Sequence, residues 1–307
     1  MDKEKNENSY HKINLNWYPG HMAKAKREIK EDLKLVDIVI ELLDARCPLT
    51  SQNPDIKEII AGKKRIIVLN KADLAEDAIT KEWIEYFKRQ GICALSTDSN
   101  SGFGVDKVLA TVEANMQAEL EKNAGKGRVG RTIRACIIGI PNVGKSSFIN
   151  RMAKKTAVEV ANRPGVTKKN KWIRVNNKIE LLDTPGVLWP KLESRETALY
   201  LSFTGTIKEE ILDKIEIAYE LIRYFLQTGR EEVLISRYGI TKEQIQQIRQ
   251  MDAEENEKYY AIFLEIGKKR GAIISGGAID EEKVARMLLE EFKNGKLGKI
   301  SLERPHK

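Results

Sequence analysis

Histidine and cysteine are both scarce, with three of each in 307 residues. His11, His21 and His306 are too few and too scattered to build a Cys/His zinc site. Cys47, Cys93 and Cys136 are odd in number and lack C-x-x-C spacing. Each lies in apolar or strand-like sequence, as small core residues of a reducing compartment do. Long apolar runs are missing, and none approaches the roughly 18–20 residues that span a bilayer. No membrane partner is therefore expected. The opening MDKEKNENSYHK has no apolar core of a secretory signal, so a cytoplasmic location is expected. Repeats and low-complexity tracts are lacking as well. Global disorder is excluded by composition, because 41% of residues are hydrophobic and 53 basic residues nearly balance 45 acidic ones.

The net charge of +8 fits nucleic-acid or anionic partners without naming one. Its distribution says more. Residues 122–178 hold 15 Lys and Arg and a single acid, Glu159, a local balance of +14 that leaves −6 for the rest. The excess is a patch, and phosphate-rich RNA is its natural counterpart. Trp172 and Trp189 lie within or near it and fit either base stacking or core packing.

Residues 1–16 read as a polar arm. Beyond it, apolar runs at 36–44, 65–70, 92–96 and 134–139 read as buried strands, and the spacing predicts helices over 80–90, 105–121 and 145–153. Residues 172–183 read as a hairpin turning at Asn176-Asn177. Such alternation predicts a three-layer α/β domain with a mostly parallel sheet over residues 17–200. From residue 201 to 307 the pattern becomes charged and helical in period, as in 207–227, 241–271 and 280–298, which predicts a small all-α domain.

Gly139-Ile-Pro-Asn-Val-Gly144-Lys145-Ser146 follows a predicted strand and opens a predicted helix. That context suits a phosphate-binding loop of the Ras-like type. Small residues let the backbone amides of Val143, Gly144, Lys145, Ser146 and Ser147 curl around phosphate at a helix N-terminus. Lys145 bridges the β- and γ-phosphates in such a loop, and the Ser146 hydroxyl ligates Mg²⁺.

Asn70-Lys71-Ala72-Asp73 ends the strand at 65–70. A carboxylate there accepts two hydrogen bonds from the ring N–H and exocyclic amine of guanine, a pair that adenine does not offer. The Lys71 stem covers the base, and Asn70 braces the loop. Beside a phosphate loop, this four-residue pattern points to GTP and GDP. Ser96-Thr97, after the next strand, fits backbone contacts to the base carbonyl or a simple helix cap. Asp183-Thr-Pro-Gly186 ends a further strand, with Asp183 suited to the Mg²⁺ shell and the Gly186 amide to the γ-phosphate. Thr167, in RPGVT, suits a switch loop that brings a second hydroxyl to Mg²⁺.

The base-recognition sequence precedes the phosphate loop, the reverse of the order in ordinary small GTPases. A circular permutation explains this, with the connector 122–131 as the join. In this order the motifs resemble the ribosome biogenesis GTPase A family of circularly permuted GTPases. The resemblance rests on WYPGHMAKAKREI (17–29), DARCPLTSQNP (44–54), NKAD (70–73), GIPNVGKSSFIN (139–150), RPGVT (163–167) and DTPGVLWP (183–190). It implies a cytoplasmic GTPase that binds the large ribosomal subunit late in assembly, with ribosomal RNA as partner and activator, acting as a monomer. It also implies an RNA-binding role for the C-terminal helices, where Lys268-Lys269-Arg270 and the lysines of 293–299 are candidates.

Where many GTPases carry a water-orienting glutamine after this glycine, the chain has Val187. Val187 implies a low intrinsic rate or another catalytic group. The resemblance points to His21 as that group, beside Lys145, Thr167 and Gly186. Asn142 fits either a tight turn or a K⁺ site, and the resemblance favours K⁺. Two other readings stay open. One is a nucleotide-gated RNA-binding module with little catalysis, and the other is a GTPase acting on a different RNA partner.

Overall fold

The apolar run at 36–44 forms β1 (Ile38–Asp44), in which every residue is buried. A strand buried on both faces needs neighbours at both edges and helices on both sides. The computed structural model describes residues 27, 29–60, 62–125, 131–154, 171–183, 194–207 and 213–306. It supplies five more strands, β2 (Lys64–Asn70), β3 (Cys93–Ser96), β4 (Ile133–Ile138), β5 (Lys171–Arg174) and β6 (Ile179–Asp183). They form one sheet in the order β3-β2-β1-β4-β6-β5. Every pairing is parallel except the β5–β6 hairpin. The hairpin turns on Asn176, whose Oδ1 accepts the amides of Lys178 and Ile179 at 2.8 and 2.7 Å.

Helices flank this sheet. A helical stretch at 29–34 and α1 (Ile56–Ile60) bury Ile29, Leu33, Ile56 and Ile59 against Val39, Cys136, Ile138 and Leu182. On the same side, α2 (Asp77–Arg89) packs Ile79, Trp83 and Phe87 on Leu43, Ile67 and Leu69. The pleat sends Ile38, Ile40 and Leu42 to the opposite face, where they are equally buried. There α3 (Val105–Ala124) lies against β2 and against α4 (Lys145–Lys154). The protein thus has the three-layer, mostly parallel α/β fold that the alternating pattern implies.

Strand order places the site. From β1 the chain steps outward to β2 and β3, then returns to the centre as β4 and continues toward the other edge. The order reverses between β1 and β4. In open α/β sheets, ligands bind at the carboxyl ends of the strands at such a reversal.

Among the described residues six helices follow: α5 (Arg195–Phe203), α6 (Lys214–Gln227), α7 (Glu231–Tyr238), α8 (Lys242–Arg249), α9 (Glu255–Lys269) and α10 (Glu281–Lys293). The periodic stretch 241–271 divides into α8 and α9 because no residue between Ile248 and Tyr259 is buried, so nothing there anchors a continuous helix. Asp213, Thr241 and Asp280 cap α6, α8 and α10 through their side chains. Glu291 of α10 gathers Arg237, Tyr238 and Arg270.

The described residues divide into two compact units, residues 27–183 with 299–306, and residues 194–298. Residues 299–306 therefore belong with the sheet, although the helical pattern at 280–298 gives no sign that the chain leaves that domain. No helix among the described residues is long and apolar enough to cross a membrane.

A candidate nucleotide-binding site

The loop between β4 and α4 carries the phosphate-binding pattern, and its backbone explains its composition. Asn142 and Gly144 have φ of 59° and 98°. The left-handed region is open to glycine and tolerated by asparagine, so Asn142 suits this turn. A Cβ on Gly144 would stand 2.3 Å from Asn70 Nδ2, and one on Gly139 would stand 2.7 Å from the Leu42 carbonyl oxygen. Both glycines are required by close approach. Phe148, Ile149 and Met152 bury the underside of α4. Its first turn presents Ser146 and Ser147 to solvent, with Lys145 partly exposed. A helix N-terminus of this kind favours an anion.

Asn70 joins the three recognition segments. It is 1% exposed, at the end of β2. Its Nδ2 donates to the Val143 carbonyl in the phosphate loop at 2.9 Å. Its Oδ1 accepts from the Thr97 hydroxyl at 3.1 Å and from the Ser99 amide and hydroxyl at 3.2 and 2.7 Å. Arg151 of α4 adds a bond from Nε to the Ser99 carbonyl at 3.2 Å. The polar stretch after β3 thereby locks the asparagine, which locks the phosphate loop.

Thr97 differs from its expected role. Its amide donates to the Leu69 carbonyl and its own carbonyl accepts from Ala72, at 2.8 and 3.0 Å, so both backbone groups are already engaged. The helix-cap reading fails as well, because α3 begins only at Val105 with Gly104 before it. What Thr97 visibly does is hold Asn70 and the base-recognition turn. Ser96 is the last residue of β3, and its carbonyl oxygen lies so near Gly104 that a Cβ there would stand 2.3 Å away.

Lys71 lies in the left-handed region, with φ of 58°, and its Nζ reaches Asp44 Oδ2 at 3.0 Å. Asp44 ends β1 and also accepts Arg46 Nε and Nη2 at 2.9 and 2.8 Å. Both residues are almost fully buried. Burial raises the Asp44 carboxyl, but Arg46 and then Lys71 more than offset this and hold it well below the usual carboxylate range. Asp73 occupies a one-turn helix, Ala72–Leu74. Partial burial and, next, the charge of Asp98 push its carboxyl upward. Sequence reasoning assigned no role to Asp44, Arg46, Asp98 or Ser99. Asp44 and Arg46 did stand in the quoted DARCP motif, whereas the Asp98 and Ser99 signal was only a run of polar loop residues.

Asp183 closes β6 in register with Ile137 of β4, two residues before the phosphate loop. Its side chain, together with His21, Thr167, Gly186 and Trp189, lies outside the described residues. Mg²⁺ bound to a nucleotide takes one or two protein oxygens and completes its shell with phosphate and water. The exposed Ser146 hydroxyl on the first turn of α4 fits that requirement. Part of the basic segment is neutralised locally, Arg131 by Asp37 and Lys178 by Glu113. Trp172 is buried, with Arg134 5.3 Å above its ring, so it packs in the core.

Comparison with known proteins gives consistent results. A family model described as 50S ribosome-binding GTPase matches residues 134–264, beginning at the strand that leads into the phosphate loop. Ribosome biogenesis GTPase A of Bacillus cereus is 45% identical over 291 residues, covering 95% of this chain and 94% of that protein. The crystal structure of GNP-bound YlqF from Thermotoga maritima superposes with a TM-score of 0.62 at 28% identity, covering 92% of this chain and 99% of that one. The GDP-bound structure of the same protein gives 0.63 at 28%, covering 92% and 100%. With its recognition elements ahead of its phosphate loop and a relative matched almost end to end, the chain belongs to the ribosome biogenesis GTPase A family of circularly permuted GTP hydrolases.

Proposed function

We propose that this GTPase is a late assembly factor of the large ribosomal subunit, recruited through ribosomal RNA and activated by the particle. The near end-to-end likeness to ribosome biogenesis GTPase A of Bacillus cereus carries this reading. The basic segment 122–178 adds to it, because the phosphate loop lies inside the stretch best suited to RNA phosphates. An interaction of that kind weakens steeply as salt rises.

Within the site, Asp73 reads the guanine edge while Lys71 covers the base. Val143, Gly144, Lys145, Ser146 and Ser147 hold the phosphates, with Gly186 at the γ-phosphate. Ser146, Thr167 and Asp183 would hold Mg²⁺, which neutralises charge on the β- and γ-oxygens. Asn142 would contribute its amide oxygen to K⁺. Val187 cannot hold the attacking water, and we assign that task to His21, ordered when ribosomal RNA is bound.

The test is GTP turnover with and without purified large subunits. Strong stimulation is expected. Nucleotide-dependent binding without stimulation would favour an RNA-binding module gated by nucleotide, as Val187 allows. Neither binding nor stimulation would point to a different RNA partner.

A further inference from the structure

Residues 299–306 lie across two turns that the sheet presents at its carboxyl edge. One turn follows β1 and carries Arg46, the ion partner of Asp44. The other follows β2 and carries Lys71 and Asp73. The Ile300 amide donates to the Leu74 carbonyl at 2.9 Å, and the Leu302 amide to the Arg46 carbonyl at 2.7 Å. Ser301 exchanges two bonds with Glu76, accepting its amide at 3.1 Å and donating its own amide to the carboxylate at 3.2 Å. The Glu303 carboxylate accepts the amides of Leu49 and Thr50 at 3.0 and 2.8 Å. Lys299 Nζ meets the Asp77 carboxylate at 2.8 Å. Ile300, Ser301 and Leu302 are 3%, 2% and 6% exposed. Consecutive residues thus grip first one turn and then the other.

We propose that Ser301 and Glu303 are positioning residues for guanine recognition, clamping the turn after β1 to the turn after β2. The proposal rests on reading Asp73 as the partner of the guanine edge. Asp73 sits in a helix of one turn, Ala72–Leu74, which has no side-chain cap. So short a helix has little stability of its own, and its placement depends on outside contacts. Two hydrogen bonds to a rigid base edge require the carboxylate to stay within a few tenths of an ångström. The bond from Ile300 falls on the residue next to Asp73. The bond from Leu302 falls on Arg46, which shares Asp44 with Lys71. Loosening either end frees both elements that face the base, while the phosphate loop keeps its own support from Asn70.

Fluorescent GDP and IDP distinguish the two effects, because inosine lacks the exocyclic amine and keeps the phosphates. In the full-length protein, a Ser301→Ala/Glu303→Ala double variant is expected to lower the GDP-to-IDP affinity ratio about 5- to 10-fold, the value of part of one charge-assisted bond. IDP, which keeps only the ring N–H contact, should lose less affinity than GDP does. Should the double variant not fold, Glu303→Gln, which keeps shape and one acceptor, is expected to lower the ratio about 3-fold. Asp73→Asn is measured alongside. An unchanged ratio in the Ser301 and Glu303 variants, with the ratio abolished by Asp73→Asn, overturns the positioning role and leaves the base reading intact. Equal weakening of GDP and IDP also overturns it, since that marks a contact serving stability alone. If Asp73→Asn leaves the ratio unchanged, the base reading falls and the proposal with it.

Discussion

The side-chain amide of Asn70 donates to the main-chain carbonyl of Val143 at 2.9 Å, across 73 residues of chain. The N-K-A-D turn and the phosphate loop therefore share one buried bond. Asn70→Ala removes it and strands the donors of Thr97 and Ser99 in the interior. We expect a loss of about 2–4 kcal/mol in unfolding free energy, from denaturant titration. Fluorescent GDP should also dissociate at least about tenfold faster. Unchanged dissociation would show that the loop keeps its shape unaided.

Asp73→Asn should exchange guanine for xanthine preference. Two charge-assisted bonds are at stake, so GTP affinity is expected to fall by about two orders of magnitude while XTP affinity rises. A variant that still prefers GTP removes Asp73 from base recognition.

Acidity should act on the same residue. Partial burial and then Asp98 raise the Asp73 carboxyl, with Arg46 opposing and Asp44 adding. With Asp73 as the proposed partner of the guanine edge, binding requires its charged form. GDP affinity should therefore begin to fall at a higher pH than an ordinary aspartate, near about 3.9, would allow. Asp73→Asn should flatten that part of the curve, and a persisting acid limb would place the titration elsewhere.

Asp44→Asn leaves the buried Arg46 guanidinium without its anion, and a loss of about 3 kcal/mol at neutral pH is expected. The sign follows from the direction of the shift. Burial raises this carboxyl, but Arg46 and Lys71 bring it well below its unfolded value. The stabilisation is complete above that unfolded value, about 3.9, and is given up as pH falls toward the native one. Parent and variant should thus converge below about pH 4 in acid-unfolding experiments. A constant difference would trace the loss to packing.

His21→Ala should spare GTP affinity and abolish most of the turnover that large subunits stimulate. Replacing KCl by NaCl at equal ionic strength should reduce hydrolysis in the parent protein. Stimulated turnover that survives the substitution would dismiss His21, and indifference to the cation would dismiss K⁺.

Much of the sheet was readable because parallel strands buried on both faces appear as unbroken apolar runs, as at 36–44 and 134–139. The phosphate loop was readable because glycine is forced at two positions by close approach, so the pattern records geometry directly. Thr97 was harder. Whether its amide faces a ligand or another strand depends on the β2–β3 register, which four residues cannot reveal. Arg46 was hidden for a different reason. A charged residue is presumed to face solvent, and its burial is matched by the carboxylate two positions earlier. The return of 299–306 to the sheet left no periodic trace, because its hold depends on main-chain amides, which every sequence possesses.

That return changes what the helical unit is in topological terms. Residues 194–298 are moored to the nucleotide-binding unit before their first helix and again after their last, so they form an insertion and not an appendage. A stop codon ahead of residue 194 therefore deletes more than helices, since it also strips the clamp from the guanine turn. Excising 194–298 while splicing 299–307 back onto the chain would separate those two losses.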